Sequence, residues 1–536
     1  MKKDILLSVL CFLLSTQGFL FAQQNVPPII SGKGIGVVKT ESGLVRGYVH
    51  KGIYTYKGIP YADAERFMPP VKTKAWTGIR SSMAYGPVCP VEATSSVDDR
   101  FEFAFQHTLG YQNEHCQNLN IWTQKVNDGK KRPVMVWFHG GGFTNGSSIE
   151  QPGYDGEQLA RKGDVVVVSV NHRLNILGFL NLSAYGDPYK SSANAGLMDL
   201  VAALEWVKQN ISAFGGDPEN VTIFGQSGGG SKVTAMMNAP SAKGLFDKGI
   251  VQSGSSTITY PESNITQRIA AALLEELNLQ PSQLDQLQRM PYDQLNAAGK
   301  IALRKASAAL KAEGLRTVGN WGPTFDARFF PWQPTDPQAK ELAKDIPLMI
   351  GTTKNENTPF SPDSTALTMD MVKNALHKSY GDKADAYIAE AKKAYPGITK
   401  PSEYMDIDLR ARPLALRQAS LRAVPGSAPV YMYLFTWQSP VNDGMYKAMH
   451  CSEIPFVFNN IARCEEMTGG TANAYALADK MSAAWINFAR SGNPNTPGLP
   501  VWPAFTAAGG ATMLFDNSCK VANNHDAGLL KLVALP

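Results

Sequence analysis

Three short runs of apolar residues stand out along the chain: Pro133–Phe138, Val165–Val170 and Val221–Phe224. They show almost no polar alternation, and the first and third run directly into glycine-rich sequence, the pattern of strands buried on both faces of a parallel sheet. Gly249–Gln252 and Ile346–Ile350 read as shorter strands of the same kind. Helical spacing fills the intervals. Leu200, Ala203, Leu204, Val207 and Ile211 recur within the stretch from Leu197 to Phe214, which stops at Gly215-Gly216-Asp217-Pro218, and Val233, Met236 and Met237 mark a helix after the third strand. The segment from Gln267 to Ala312 is rich in Leu, Ala and Gln at helical spacing and predicts a helical cap. Strands alternating with helices predict an α/β fold, one mostly parallel central sheet flanked by helices. No repeat or low-complexity linker divides the chain, so residues 23–536 are read as a single domain.

Composition adds limits. The chain is 44% hydrophobic and 18% charged, with a formal net charge of +5 and no basic block, which argues against a nucleic-acid partner. The N-terminus changes the picture more. Lys2 and Lys3 precede an apolar run from Ile5 to Leu14, then Ser15–Gly18 and Phe21-Ala22. That is the layout of a signal peptide over residues 1–22, cleaved after Ala22, and it predicts a secreted or periplasmic protein without a membrane anchor. Cys11 follows Leu10 rather than a small residue, which argues against lipidation. The other cysteines are Cys89, Cys116, Cys451, Cys464 and Cys519, an odd number that leaves at least one thiol unpaired.

The chemistry gathers at two glycine-rich junctions. Gly225-Gln226-Ser227-Gly228-Gly229 fits G-x-S-x-G, placed directly after a buried strand and before a helix. A serine there occupies a tight turn, with helix N-terminal amides beside any negative charge that develops. A phosphate-binding loop is excluded, because Ser231-Lys232 stands where Lys then Ser or Thr is required. Upstream, His139-Gly140-Gly141-Gly142-Phe143 ends the first strand. Consecutive glycines there let backbone N–H groups of Gly141 and Gly142, with that of Gly228, reach a substrate oxyanion. A general base and its carboxylate partner are expected downstream of the serine. Of the late histidines, His377 falls in an amphipathic helix and His525 in a polar loop near the C-terminus, which leaves His450 strongest by position. Glu356 sits in a loop leaving the Ile346–Ile350 strand, where a carboxylate can orient an imidazole.

These residues resemble the type-B carboxylesterases, the family of cholinesterases and para-nitrobenzyl esterases. The likeness runs through residues 58–70, 86–90, 113–122, 138–143, 171–180, 194–200, 214–230, 351–357, 450–458 and 486–495. It implies an α/β-hydrolase fold with helical cap insertions and a serine esterase that needs no metal or organic cofactor. On that likeness Ser227, His450 and Glu356 form the triad, Gly141, Gly142 and Gly228 the oxyanion hole, and Ser253 supports the acid. It further implies a disulfide between Cys89 and Cys116, and ion pairs Arg66–Glu114 and Arg173–Asp199. The implied partner is a small-molecule ester; amides, carbamates and thioesters are alternatives for the same triad, and a non-catalytic binding protein is the alternative for the same fold. Phe143, Phe360 and Trp437 are candidate pocket walls.

The chain departs from the family pattern at several positions. Gln226 replaces the commoner Glu, and Gly228 replaces Ala, which is expected to loosen the elbow. His115 stands in a usual Asp position. Cys451, in the place of a small residue, is expected to pair with Cys464 and leave Cys519 free.

Overall fold

The computed structural model describes residues 28–92, 98–255, 259–358 and 367–533. The signal-peptide reading of residues 1–22 and the wall assignment of Phe360 lie outside the described residues. Every residue of Arg132–Phe138, Val166–Val170, Lys248–Gln252, Leu348–Thr353, Val430–Phe435 and Ala511–Phe515 is buried. These strands belong to a 12-stranded sheet. Its parallel centre runs Val166–Val170, Arg132–Phe138, Gly216–Gln226, Lys248–Gln252, Leu348–Thr353, Val430–Phe435, Ala511–Phe515. Antiparallel strands extend both edges, including Asn118–Thr123 and Ile53–Pro60 on one side and Lys520–Asn523 on the other.

Side chains alternate between the faces, and each face feeds its own core. Val134, Val136, Val168, Ile223, Val251 and Ile350 pack with Leu204 and Val207 of helix Ala195–Asn210 and with Val233 and Met236 of helix Gly228–Met237. Met135, Trp137, Val167, Phe224, Ile250 and Met349 face the other way, onto Met481, Trp485 and Phe488 of helix Ala472–Ser491. The apolar runs of the sequence are continuous for this reason.

Several expected boundaries shift. The third strand begins at Gly216 rather than Val221, and the helix ends at Asn210 with a 3₁₀ turn over Ile211–Phe214. The cap region comprises helices Ser263–Glu276, Asp285–Arg289 and Tyr292–Ala312. Register then sets the site. Phe138 pairs with Gly225, Gln226 with Gln252, and Gln252 with Gly351. The carboxyl ends of four parallel strands therefore level off together, where ligand sites of such sheets form.

Candidate active site

Ser227 sits between strand Gly216–Gln226 and helix Gly228–Met237 with φ 56° and ψ −125°. A non-glycine residue in such a conformation costs about 1–3 kcal/mol and persists only where its surroundings fix it. Here the Ser227 N–H donates to Gln252 O at 2.7 Å, and its carbonyl accepts from Ser231 N at 3.1 Å. The flanking glycines make the turn sterically possible. A Cβ on Gly229 would lie 1.9 Å from Phe138 O, and one on Gly225 would lie 2.5 Å from the Gly229 carbonyl carbon.

The loop after Phe138 folds back over this elbow. Gly141 and Gly142 have φ 77° and 63°, and Asn145 N closes a turn onto Gly141 O at 2.9 Å. The expectation that Gly228 loosens the elbow is corrected. A Cβ there would lie 2.3–2.4 Å from the oxygen, Cα and nitrogen of Gly142, so glycine permits the two backbones to close up. Gly228 opens its helix, so its N–H has no helical acceptor four residues behind it and points with the helix N-terminus toward the same space.

On the opposite side, two loops are stitched together within two residues of Glu356 and His450. Asn355 N donates to Ala448 O at 3.0 Å, and Ala448 N donates to Asn355 Oδ1 at 3.2 Å. That places Glu356 against His450, whose Nδ1 hydrogen-bonds Glu356 Oε2. The other oxygen, Oε1, accepts from Ser253 Oγ at 2.6 Å and Thr353 N at 2.9 Å. Burial raises the Glu356 pKa, but His450 and these donors outweigh it and hold the carboxyl below its ordinary value. Burial opposes charge on His450, while the Cys451 sulfur and the Glu356 carboxylate favour it, and the net shift is well upward. Gln226 Nε2 lies 3.2 Å from His450 Nε2 and 3.4 Å from Nδ1. Near-equal approach to nitrogens on different edges of a ring puts the amide over the ring face, not in its plane. Ser227 Oγ makes no hydrogen bond to His450 among the described residues; catalytic contacts are often long before substrate binds.

The other sequence expectations divide. Arg66 clasps Glu114, and Arg173 Nη2 meets Asp199 Oδ1 at 2.6 Å, both as expected. His115 is exposed and pairs with Asp63 at 2.8 Å. His377 is exposed on its helix. Trp437 is core, tilted against Phe435 and Phe456, whereas Phe143 is buried edge-on to Phe179 beside the glycine loop. All five described cysteines are free thiols. Cys89 and Cys116 are buried in mutual contact without a bond. The expected Cys451–Cys464 pair is not formed, because the Cys451 sulfur turns to Gln226 Oε1 at 3.1 Å while Cys464 packs beside Gly153.

Sequence reasoning missed the ionisable groups behind the site. Burial, reinforced by the charge of Glu356, pushes Glu453 up to about 7 and Asp408 up to about 6. Crowded carboxyls separate into charged and neutral members, and here Glu356 keeps the charge. Lys232, one turn into the helix after Ser227, is fully buried. Only its place in a rejected phosphate-loop pattern drew notice to it.

Known proteins resemble the chain over nearly its whole length. The model of the carboxylesterase family matches residues 35–530. The para-nitrobenzyl esterase of Bacillus subtilis is 36% identical over 92% of this chain and 97% of its own. The phenmedipham hydrolase of Pseudarthrobacter oxydans is 33% identical over 91% and 97%. A solved esterase of Clostridium hathewayi, described as able to hydrolyse aliphatic aromatic polyesters, superposes with a TM-score of 0.82 at 38% identity, covering 93% of this chain and 98% of that one. The chain belongs to the carboxylesterase family and is a carboxylic ester hydrolase of the α/β-hydrolase fold.

Proposed function

We propose that the chain hydrolyses carboxylic esters through Ser227, His450 and Glu356 by way of an acyl-enzyme. The observation that carries this reading is the hydrogen bond from His450 Nδ1 to a buried Glu356, facing a serine held at φ 56°. Glu356 fixes the imidazole tautomer, leaving Nε2 to take the proton as Ser227 Oγ attacks the ester carbonyl. The N–H groups of Gly141, Gly142 and Gly228 receive the tetrahedral oxyanion, each worth about 3 kcal/mol of barrier. His450 then protonates the departing alcohol, and water, activated by the same imidazole, releases the acid and restores Ser227. Ser253 supports this arrangement by holding Glu356 Oε1.

Processing belongs to the same proposal. Residues 1–22 direct export and are removed, and residues 23–536 work as one domain. Outside the cell, Cys89 and Cys116 close a disulfide. Among the described residues no helix is long and apolar enough to cross a membrane.

The test is turnover of para-nitrophenyl esters from acetyl to long-chain acyl by wild type and Ser227→Ala. Wild type hydrolyses the series, with the preferred chain length sizing the acyl pocket, and the variant folds normally but loses at least ~10³ in kcat. Preserved turnover in the variant contradicts the assignment.

A further inference from the structure

A buried lysine lies directly beneath the glycine loop. Lys232 is 0% exposed, yet no carboxylate comes within ion-pair distance of it among the described residues. Its ammonium donates to His139 O at 2.9 Å and approaches Gly140 O at 3.5 Å. Those carbonyls are not arbitrary. The Gly140 carbonyl shares its peptide with the Gly141 N–H, and the His139 carbonyl shares its peptide with the Gly140 N–H. A cation at a carbonyl oxygen draws electrons through the amide and makes the attached N–H a stronger donor. Gly140 O also accepts from His139 Nδ1 at 3.0 Å, and Gly141 O from Asn145 N at 2.9 Å, so successive carbonyls of the loop are each held by a donor.

We propose that Lys232 is a positioning residue for ester hydrolysis. From beneath the loop its ammonium fixes the carbonyls of His139 and Gly140, and so holds the loop in place and sets the direction and strength of the Gly141 N–H that receives the oxyanion. The proposal rests on the triad and oxyanion-hole reading above. A buried cation without a carboxylate partner is expensive. The groups packed around it come from three elements: His139 and Phe143 from the glycine loop, Glu150 from the turn beyond, and His172 from the loop after Val166–Val170. Burial, followed by the charge of Lys232, keeps both histidines well below their ordinary pKa and hence uncharged. Burial raises Glu150, with His107 and Lys232 opposing it. Burial brings Lys232 itself down to about 7, with Glu150 opposing. The ammonium therefore predominates below neutrality and is lost as pH rises past it.

The experiment compares wild type, Lys232→Met and Lys232→Gln on para-nitrophenyl acetate, with rates normalised by phosphonate active-site titration and Tm measured alongside. Lys232→Met should lower kcat about 30-fold near pH 6 with KM within about threefold, since removing an oxyanion contact costs up to ~10²–10³. Its Tm should equal or exceed that of wild type. Lys232→Gln, which keeps an N–H donor without the charge, should recover part of the loss. The ratio of wild-type to Lys232→Met kcat should shrink toward about threefold by about pH 8, a trend that cancels the His450 titration common to both. A ratio near one, or a reduced ratio flat with pH, overturns the proposal, as does a loss of kcat that follows a fall in Tm. If Lys232→Met does not fold, the same ratio for Lys232→Gln decides. Turnover retained by Ser227→Ala would instead overturn the underlying triad reading.

Discussion

The two halves of the proposed site, the nucleophile side around Ser227 and the acid–base side around His450, are built by different physics. Around Ser227 the structure is a set of backbone approaches: Gly229 against Phe138 O, Gly228 against Gly142, Gly225 against Gly229. No side chain intervenes, and position is set by sterics and by the register of three strands. Around His450 the structure is a set of buried ionisable groups. Glu356 is charged, Glu453 and Asp408 are shifted toward neutrality, and loops from distant parts of the chain are tied through Asn355 and Ala448. The first half fails by collision, while the second fails by a change of protonation. The nucleophile side should therefore be intolerant of one added methyl, and the acid–base side tolerant of shape-preserving changes in its fold though not in its chemistry.

The largest expected effect tests the collision side. Gly229→Ala places a methyl 1.9 Å from Phe138 O at a point where backbone meets backbone and nothing can swing aside. It should cost on the order of 4 kcal/mol or more and remove most folded protein, as measured by thermal unfolding and soluble yield. A near wild-type Tm would break the comparison.

Glu356→Gln tests the protonation side. Its fold should survive, but kcat should fall by about 10³–10⁴, because the amide favours the wrong imidazole tautomer. The pH profile carries the sign. The Glu356 carboxylate helps His450 hold its proton above the ordinary imidazole range, so wild-type kcat/KM climbs as pH rises through that raised pKa. Without the carboxylate's charge the acid limb should move to lower pH. A limb that stays in place would assign it to another group.

Gly228→Ala should have the smallest effect and sharpens the boundary between the halves. The added methyl would lie 2.3–2.4 Å from the Gly142 oxygen, Cα and nitrogen, a milder collision than the 1.9 Å of Gly229→Ala, so Tm should fall, but by less than in Gly229→Ala. Misplacing the oxyanion donors by a fraction of an ångström should still lower kcat about tenfold with little change in KM. Equal losses of kcat and Tm would place Gly228 with Gly229 as a purely steric position.

The same contrast explains what could be read in the sequence. Ser227 and the glycines 141, 142, 225, 228 and 229 were visible because a backbone demand is written directly as glycine at fixed spacing after a strand. The buried strands were visible because both faces of the sheet are covered, although the short, half-buried N-terminal strands such as Tyr48–His50 carried too little pattern. Glu356 and His450 lie in loops without periodicity, so order and position only narrowed the choice and family likeness completed it. Lys232 was illegible as a buried group. Its helix is buried over its whole length, which nothing local announces, and a loop nearly a hundred positions earlier supplies its partners. The Cys451–Cys464 pairing failed for a related reason. Sequence offers Cys451 and Cys464 as neighbours, yet the Cys451 sulfur turns inward to Gln226.

The most direct test of the central claim is to react the protein with a para-nitrophenyl alkylphosphonate and locate the adduct by peptide mass spectrometry. The account predicts one phosphonyl group, on Ser227, with activity lost in proportion to labelling, and adduct formation slowed sharply in Glu356→Gln. Labelling at Ser231, Ser253 or another residue, or full activity after Ser227 is modified, would contradict it.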